Sequence, residues 1–314
     1  MRLFFAALKF ISLKDFKDDE TIELVPGLII TQSQKIKRTI LTEKNRAIIG
    51  VIESSFIQQN NVLLYYKYQD NDELFKDLPN LKILENILMW IDDILKNSWL
   101  IKDNSIVCDT AFMIHQKNGK TEASTLRLQY LFTKASGAID NVEFTKEEIN
   151  NFIEYHDKIE MYLHSKGSGS FNFMLYKNFS RIGRALLFVK QAREARNLAY
   201  KISNYCSALE TLFSTDSAEL SHKLSERTAF FLSKEFNKID TYKTVKKAYS
   251  IRSKLTHGDC LEQKQIDLLE GISTNIDNIL RVIFNKILID DNLLDVFDSN
   301  NNKIDAHFES LIFE

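Results

Sequence analysis

The stretch Tyr249-Ser-Ile-Arg-Ser-Lys-Leu-Thr-His-Gly-Asp259 carries an arginine and a histidine five residues apart. A guanidinium grips an oxyanion through its bidentate fork, and an imidazole gives or takes a proton near neutral pH. Arg252 follows Val245, Ala248 and Tyr249 and precedes Leu255, at the spacing of a buried helix face. It therefore falls inside an apolar stripe, where a charge is costly unless it is paired or lines a wet cleft. Gly258, next after His257, is of the type that commonly ends a helix in the left-handed conformation. Five residues turn the two side chains ~140° apart on an ideal helix. They converge only if the last turn loosens at Gly258 or if a second copy of the chain supplies the partner. The plainer reading is an arginine satisfying carbonyls or a carboxylate, and a histidine favoured by the dipole of a helix C-terminus.

The helix that must position this pair, predicted over 240–256, belongs to a run of helical patterns. The others cover 175–193, 198–213, 217–232 and 263–289, and a tail at 304–313 has no assigned form. On the second of these, Tyr205, Ala208, Leu209, Leu212 and Phe213 share one face, and on the third Leu220, Leu224, Thr228, Phe231 and Leu232 align. Ahead of them stands Ser165-Lys-Gly-Ser-Gly-Ser170, the one Gly/Ser-rich run. It lacks the preceding strand and Gly-Lys-Ser/Thr ending of a phosphate loop, and its composition reads as a linker.

Upstream, strands and helices mix. Strands are predicted over 3–12, 22–31 (with a bend or turn at Pro26-Gly27), 62–68, 106–115 and 124–132, the last two joined by the hairpin signal Asn118-Gly119. Helical spacing appears over 42–60 and 81–95. Thr145 and Glu148 form a capping-box pattern opening a helix that runs to about Leu163. The expected layout is an α+β domain over 1–165, a linker at 166–171 and an all-α domain over 172–314.

Composition agrees with a folded chain. Of 314 residues, 44% are hydrophobic and 11% aromatic, enough for a core. Only 2 Pro and 9 Gly lean the chain towards helix. A net charge of −2 means that any nucleic-acid site must be a local basic patch. Cys108, Cys206 and Cys260 are far apart and form no Cys-x-x-Cys pair, which argues against a zinc ribbon or disulfide scaffold and suits a reducing cytoplasm. The apolar start is broken by Lys9 and has no cleavage pattern, so a buried first strand is expected rather than a signal peptide. No apolar run approaches the ~20 residues of a membrane span. A soluble cytoplasmic protein, without cofactor or metal, is the expectation.

Three blocks carry a resemblance. Tyr205-Cys-Ser-Ala-Leu-Glu-Thr-Leu-Phe213, Glu219-Leu-Ser-His-Lys-Leu-Ser-Glu-Arg-Thr-Ala-Phe230 and Tyr249 to Gly258 together resemble the ApeA-like branch of the HEPN superfamily, over about residues 175–290. The N-terminal half carries no comparable motif. The resemblance implies a helical bundle, often dimeric, and in many members a metal-independent ribonuclease of toxin or anti-phage defence systems. Its signature is an arginine and a histidine separated by four to six residues, which Arg252 and His257 match with four between them. The residue after that arginine is Asn, Asp or His in many such nucleases; here it is Ser253. The alternative of a non-catalytic HEPN module binding RNA, nucleotide or a protein partner stays open on that account, beside a purely structural dimerisation bundle.

In the catalytic reading, the RNA's own 2′-hydroxyl attacks the adjacent phosphorus. His257 acts as general base or acid, and Arg252 holds the phosphate as charge builds on its oxygens. A twofold dimer sets two such motifs at one cleft. Glu210 and Arg227, the latter in an apolar stripe with Leu220, Leu224 and Phe231, are candidates for a polar network that orients the site, or equally for a structural ion pair. Lys254, Lys246 and Lys247 are candidate phosphate contacts or plain solvated lysines. Between Arg196 and Cys260 stand 11 Lys and Arg against 7 Asp and Glu, a local excess that suits RNA.

The other histidines promise less. His156 and His164 are eight residues apart, too far for a helical zinc pair. His115 and His307 have no evident partners, and His222 either approaches the site or packs. The basic run Lys35-Ile-Lys-Arg38, with Lys44 and Arg46, reads as an exposed loop or a nucleic-acid contact. The N-terminal domain is expected to sense a trigger, phage-derived or a nucleotide, or to restrain the nuclease.

Overall fold

The structure is a computed structural model that describes residues 2–68, 78–129, 131–166, 179–216 and 218–313. The chain divides into two compact units, Met1–Phe132 with Ile139–His156, and Thr133–Ala138 with Asp157–Glu314. An α+β region is thus followed by an all-helical one, the fold class read from the sequence.

In the first unit, β1 (Arg2–Leu8), β2 (Ile11–Lys14), β3 (Thr21–Val25) and β4 (Leu28–Thr31) precede three short helices, α1 (Gln34–Ile40), α2 (Glu43–Ile49) and α3 (Val51–Gln59). Then come β5 (Val62–Tyr68), α4 (Asn80–Lys96), β6 (Thr110–Lys117), β7 (Lys120–Arg127) and β8 (Val142–Thr145). Six strands form an antiparallel sheet in the order β3-β4-β5-β1-β6-β7, while β2 pairs with β8 in parallel. Both sheet faces are covered, so the central strands read as unbroken apolar runs. Phe4, Ala6 and Leu8 pack in the core built around α4, whereas Phe5, between them, joins Ile40, Ile49 and Ile57 on the other face.

Several boundaries differ from the expected ones. The strand expected over 3–12 breaks at Phe10, which takes a left-handed φ of 61°. The one over 22–31 folds back on itself as the β3–β4 hairpin around Pro26-Gly27. The helix over 42–60 is cut at Gly50, whose φ of 108° only glycine adopts readily. The strand over 106–115 starts only at Thr110, and the one over 124–132 is drawn back to 120–127 by its hairpin. There Asn118 and Gly119, at φ 50° and 75°, form the two-residue turn that pairs Lys117 with Lys120.

The capping box holds. Thr145 Oγ1 accepts from the Glu148 amide at 3.2 Å, and the Glu148 carboxylate accepts from the Thr145 amide at 2.9 Å. They open α5 (Lys146–Ser165). Most of the linker expected at 166–171, the first residues of the helix expected over 175–193 and Ser217 lie outside the described residues.

The helical unit contains α6 (Arg181–Glu194), α7 (Leu198–Phe213), α8 (Leu220–Phe231), α9 (Lys238–His257), α10 (Gln263–Ile266), α11 (Leu269–Ile289), α12 (Asp291–Asp298) and α13 (Asn301–Phe313). The helix expected over 263–289 is thus interrupted at Asp267-Leu268, and the tail is helical. α7 is the central post: Ile202, Tyr205, Ala208, Leu209, Leu212 and Phe213 are all fully buried, and α6, α8, α9 and α11 pack around it. Asn197 caps its first turn by accepting from the Ala199 and Tyr200 amides. Phe213, Phe231, Phe297 and Phe308 close one end with ring centroids 5.1–6.4 Å apart. Among the described residues, no helix is long and apolar enough to cross a membrane.

Candidate functional site

α9 presents the central pair. Its core stripe is Thr241, Val245, Ala248 and Ile251, and Arg252 follows in phase, so its side chain meets α7. It is half-buried rather than enclosed, with 26% of its side chain exposed. Its Nη2 donates to Glu210 Oε2 at 3.2 Å, and its Nη1 reaches Tyr249 Oη at 3.4 Å, a long contact. Arg252 also lies 5.3 Å from the centroid of the Tyr249 ring. The Tyr249 hydroxyl lies close enough to the Glu210 carboxylate to pull its pKa down. One guanidinium thus contacts both a carboxylate and a phenol.

The set is only partly satisfied. Glu210 Oε1 is buried with no hydrogen-bond partner among the described residues. Burial raises the Glu210 pKa above the usual carboxylate value, and Arg252 and Tyr249 pull it down only in part. Burial, then the Glu210 charge, likewise lifts the Tyr249 phenol. The contacts to Glu210 and Tyr249 hold Arg252 in direction, and its remaining N–H groups are left for an oxyanion.

His257 is the last residue of α9 and is exposed. The helix does not loosen before it. Gly258 stands at φ 77°, its amide bonding to Leu255 O at 3.4 Å and the Asp259 amide to Lys254 O at 2.8 Å, which is the Schellman ending. With regular helix up to His257, the ~140° offset between Arg252 and His257 persists within one chain. Of the two routes to convergence, the local one is closed.

The remaining candidates separate. Ser253 is half-buried on the turn bearing Arg252, and Thr256 Oγ1 donates to Arg252 O at 2.8 Å. Lys254 is engaged within the chain, donating to Gln265 Oε1 at 2.8 Å beside Glu262. Lys246 and Lys247 are exposed. Arg227 is not part of the Glu210 set: it donates to Phe213 O at 2.6 Å, pairs with Asp305 and lies 4.9 Å from the Phe308 ring. Its place in an apolar stripe reflects a bond to the end of α7 and to α13, so its role is to fasten the bundle.

Outside this area, His156 is buried against Asn97 at 2.9 Å, and His115 against Ser124 at 3.2 Å. Burial depresses the Lys37 amine, which donates to Asn60 O, so the centre of the Lys35–Arg38 run is structural. No group of three or more His, Cys, Asp or Glu side chains that could hold a metal occurs among the described residues.

Two residues gain weight, Tyr249 beyond its place in the stripe and His222 beyond the choice between approaching the site and packing. Tyr249, counted only as part of the stripe, joins the Arg252–Glu210 set. His222 bonds through Nδ1 to Tyr242 Oη at 3.1 Å and lines an open groove with Lys246 and Tyr249. The signal for Tyr249 was the polar and aromatic spacing Tyr242, Lys246, Tyr249 along α9. No protein-family model, curated protein or solved structure matches the chain.

Proposed function

We propose that the chain is a metal-independent HEPN-type endoribonuclease, dimeric through its helical unit and acting in the cytoplasm as a toxin or in anti-phage defence. The observation that carries the reading is Arg252, a half-buried guanidinium held by one carboxylate, Glu210, on the helix that ends at His257. Arg252 neutralises a phosphate of the RNA as charge builds on its oxygens. His257 takes the proton of the 2′-hydroxyl as that oxygen attacks phosphorus, and a second histidine protonates the departing 5′-oxygen. The products are a 2′,3′-cyclic phosphate and a free 5′-hydroxyl. The phase of α9 favours a site completed by a second copy, in which His257 of one chain serves the phosphate held by Arg252 of the other. The α+β unit would sense a phage-derived or nucleotide trigger, or restrain the nuclease.

Arg252→Ala and His257→Ala are each expected to abolish toxicity and RNA cleavage while dimer and fold persist, and cleavage by the wild type is expected to continue in chelator. Wild type that leaves RNA intact under every activating condition would refute the enzyme. The departure at Ser253 favours a second reading, a non-catalytic module that binds RNA, nucleotide or a protein. Salt-dependent RNA affinity without cleavage would support that alternative.

A further inference from the structure

The first turn of α8 and the middle of α9 enclose an open groove of about 540 Å³, lined by Glu219, Leu220, Ser221, His222, Lys246 and Tyr249. Its α9 wall belongs to a longer ridge. Tyr242, Lys246, Tyr249, Ser253 and His257 recur three or four residues apart and fall within an arc of ~80° on the helix surface. The face that lines the groove is therefore the face from which His257 projects. Tyr249 joins the groove to the Arg252–Glu210 set, since it lines the one and contacts the other.

The lining is organised for a polar, flat ligand. His222 is oriented through Nδ1 by Tyr242, their rings edge-on at 6.0 Å, and its Nε2 has no partner among the described residues. The Lys246 ammonium sits 5.5 Å from the Tyr242 ring centroid, which keeps that charge beside the groove. Tyr249 contributes an aromatic surface of the kind on which bases stack. Glu219 adds a carboxylate that disfavours phosphate at its own end and accepts from an exocyclic amine.

We propose that this groove binds a nucleotide of single-stranded RNA adjoining the cleaved bond, with the base against Tyr249 and its phosphate between Lys246 and His222. The inference rests on the endoribonuclease reading above and adds the subsite that fixes the strand's path along α9. A single strand fits better than a duplex because only unstacked bases offer a ring face to a tyrosine.

The test uses the whole 314-residue chain with His257→Ala, so that substrate stays whole, and a fluorescein-labelled single-stranded oligoribonucleotide followed by anisotropy over a salt series. Adding His222→Ala or Lys246→Ala is expected to weaken binding about five- to tenfold, the scale of one charge-assisted hydrogen bond at a partly exposed site. Lys246→Ala should also lower the salt slope by about 0.7, one phosphate contact to a single strand. Lys234→Ala, in the turn that follows α8, serves as the control expected to bind like its parent. Photocrosslinking of 4-thiouridine in the same oligonucleotide should mark the peptide containing Tyr249. Binding within twofold in both groove variants, with crosslinks elsewhere, overturns the groove while leaving the nuclease intact. A parent that binds no RNA, beside a wild type that cuts none, overturns the nuclease reading itself.

Discussion

Arg252→Ala is expected to destabilise the helical unit at neutral pH by about 1–3 kcal/mol, and Glu210→Gln should remove most of that cost. The attraction between the two charges at 3.2 Å is about 5 kcal/mol at an effective dielectric constant of ~20. The side chains keep 26% and 20% of their exposure, so water screens part of this attraction and the desolvation of both ions offsets more. The net value therefore lies between the ~0–1 kcal/mol of surface pairs and the ~3–5 kcal/mol of breaking a buried one. Loss of Arg252 leaves a carboxylate in a site where burial already raises its pKa. An acid raised in the folded state contributes stability fully below its unfolded pKa and loses that contribution as pH rises through the folded value. Arg252 opposes this rise in the wild type, so the gap between wild type and Arg252→Ala should be small near the ordinary glutamate value of 4.5 and widen towards neutrality. Urea denaturation at about pH 5 and about pH 7.5, read by circular dichroism, measures the gap. Tryptophan fluorescence isolates the other unit, because Trp90 and Trp99 both lie there, and it should not move. An equal cost at both pH values, or no recovery in the Glu210→Gln, Arg252→Ala double variant, would refute the reasoning. The recovered double variant should still fail to cut RNA, which separates the arginine's structural role from its catalytic one.

Gly258→Ala should cost about 1 kcal/mol in the same urea titration, the penalty for a left-handed residue with a Cβ, since its φ is 77° and nothing lies within 4 Å of the added atom. A neutral result would mean that the helix end has relaxed. Thr145→Ala removes half of the capping box and is expected to lower stability by about 1 kcal/mol, seen by tryptophan fluorescence in the unit that holds it. Burial raises the thiol pKa of Cys108 and Cys206, whereas Cys260 is exposed. Iodoacetamide should therefore add one equivalent at Cys260, read by peptide mass, and reach the other two only after unfolding; fast labelling of all three in the native protein would contradict their burial.

Much of this architecture was legible in the sequence because its signals are local. The spacing Tyr205, Ala208, Leu209, Leu212, Phe213 marks the buried face of α7 whatever packs on it, and Gly258 and Thr145–Glu148 mark helix ends through bonds made within a few residues. The same locality explains the errors. Phe10 and Gly50 interrupt apolar patterns by backbone conformation alone, which hydrophobic spacing does not record.

The candidate site divides along the same line. Sequence alone determined that Arg252 occupies a special position, that His257 ends its helix, and that ~140° of helix phase lies between them. Tertiary structure decided the partners. It brought Glu210 and Tyr249 to Arg252, sent Arg227 to Asp305, engaged Lys254 with Gln265 and placed His222 across a groove from Tyr249. An arginine in an apolar stripe announces only that some partner must exist. Which acceptor it finds depends on how the helices cross, and that is settled by packing between residues tens of positions apart.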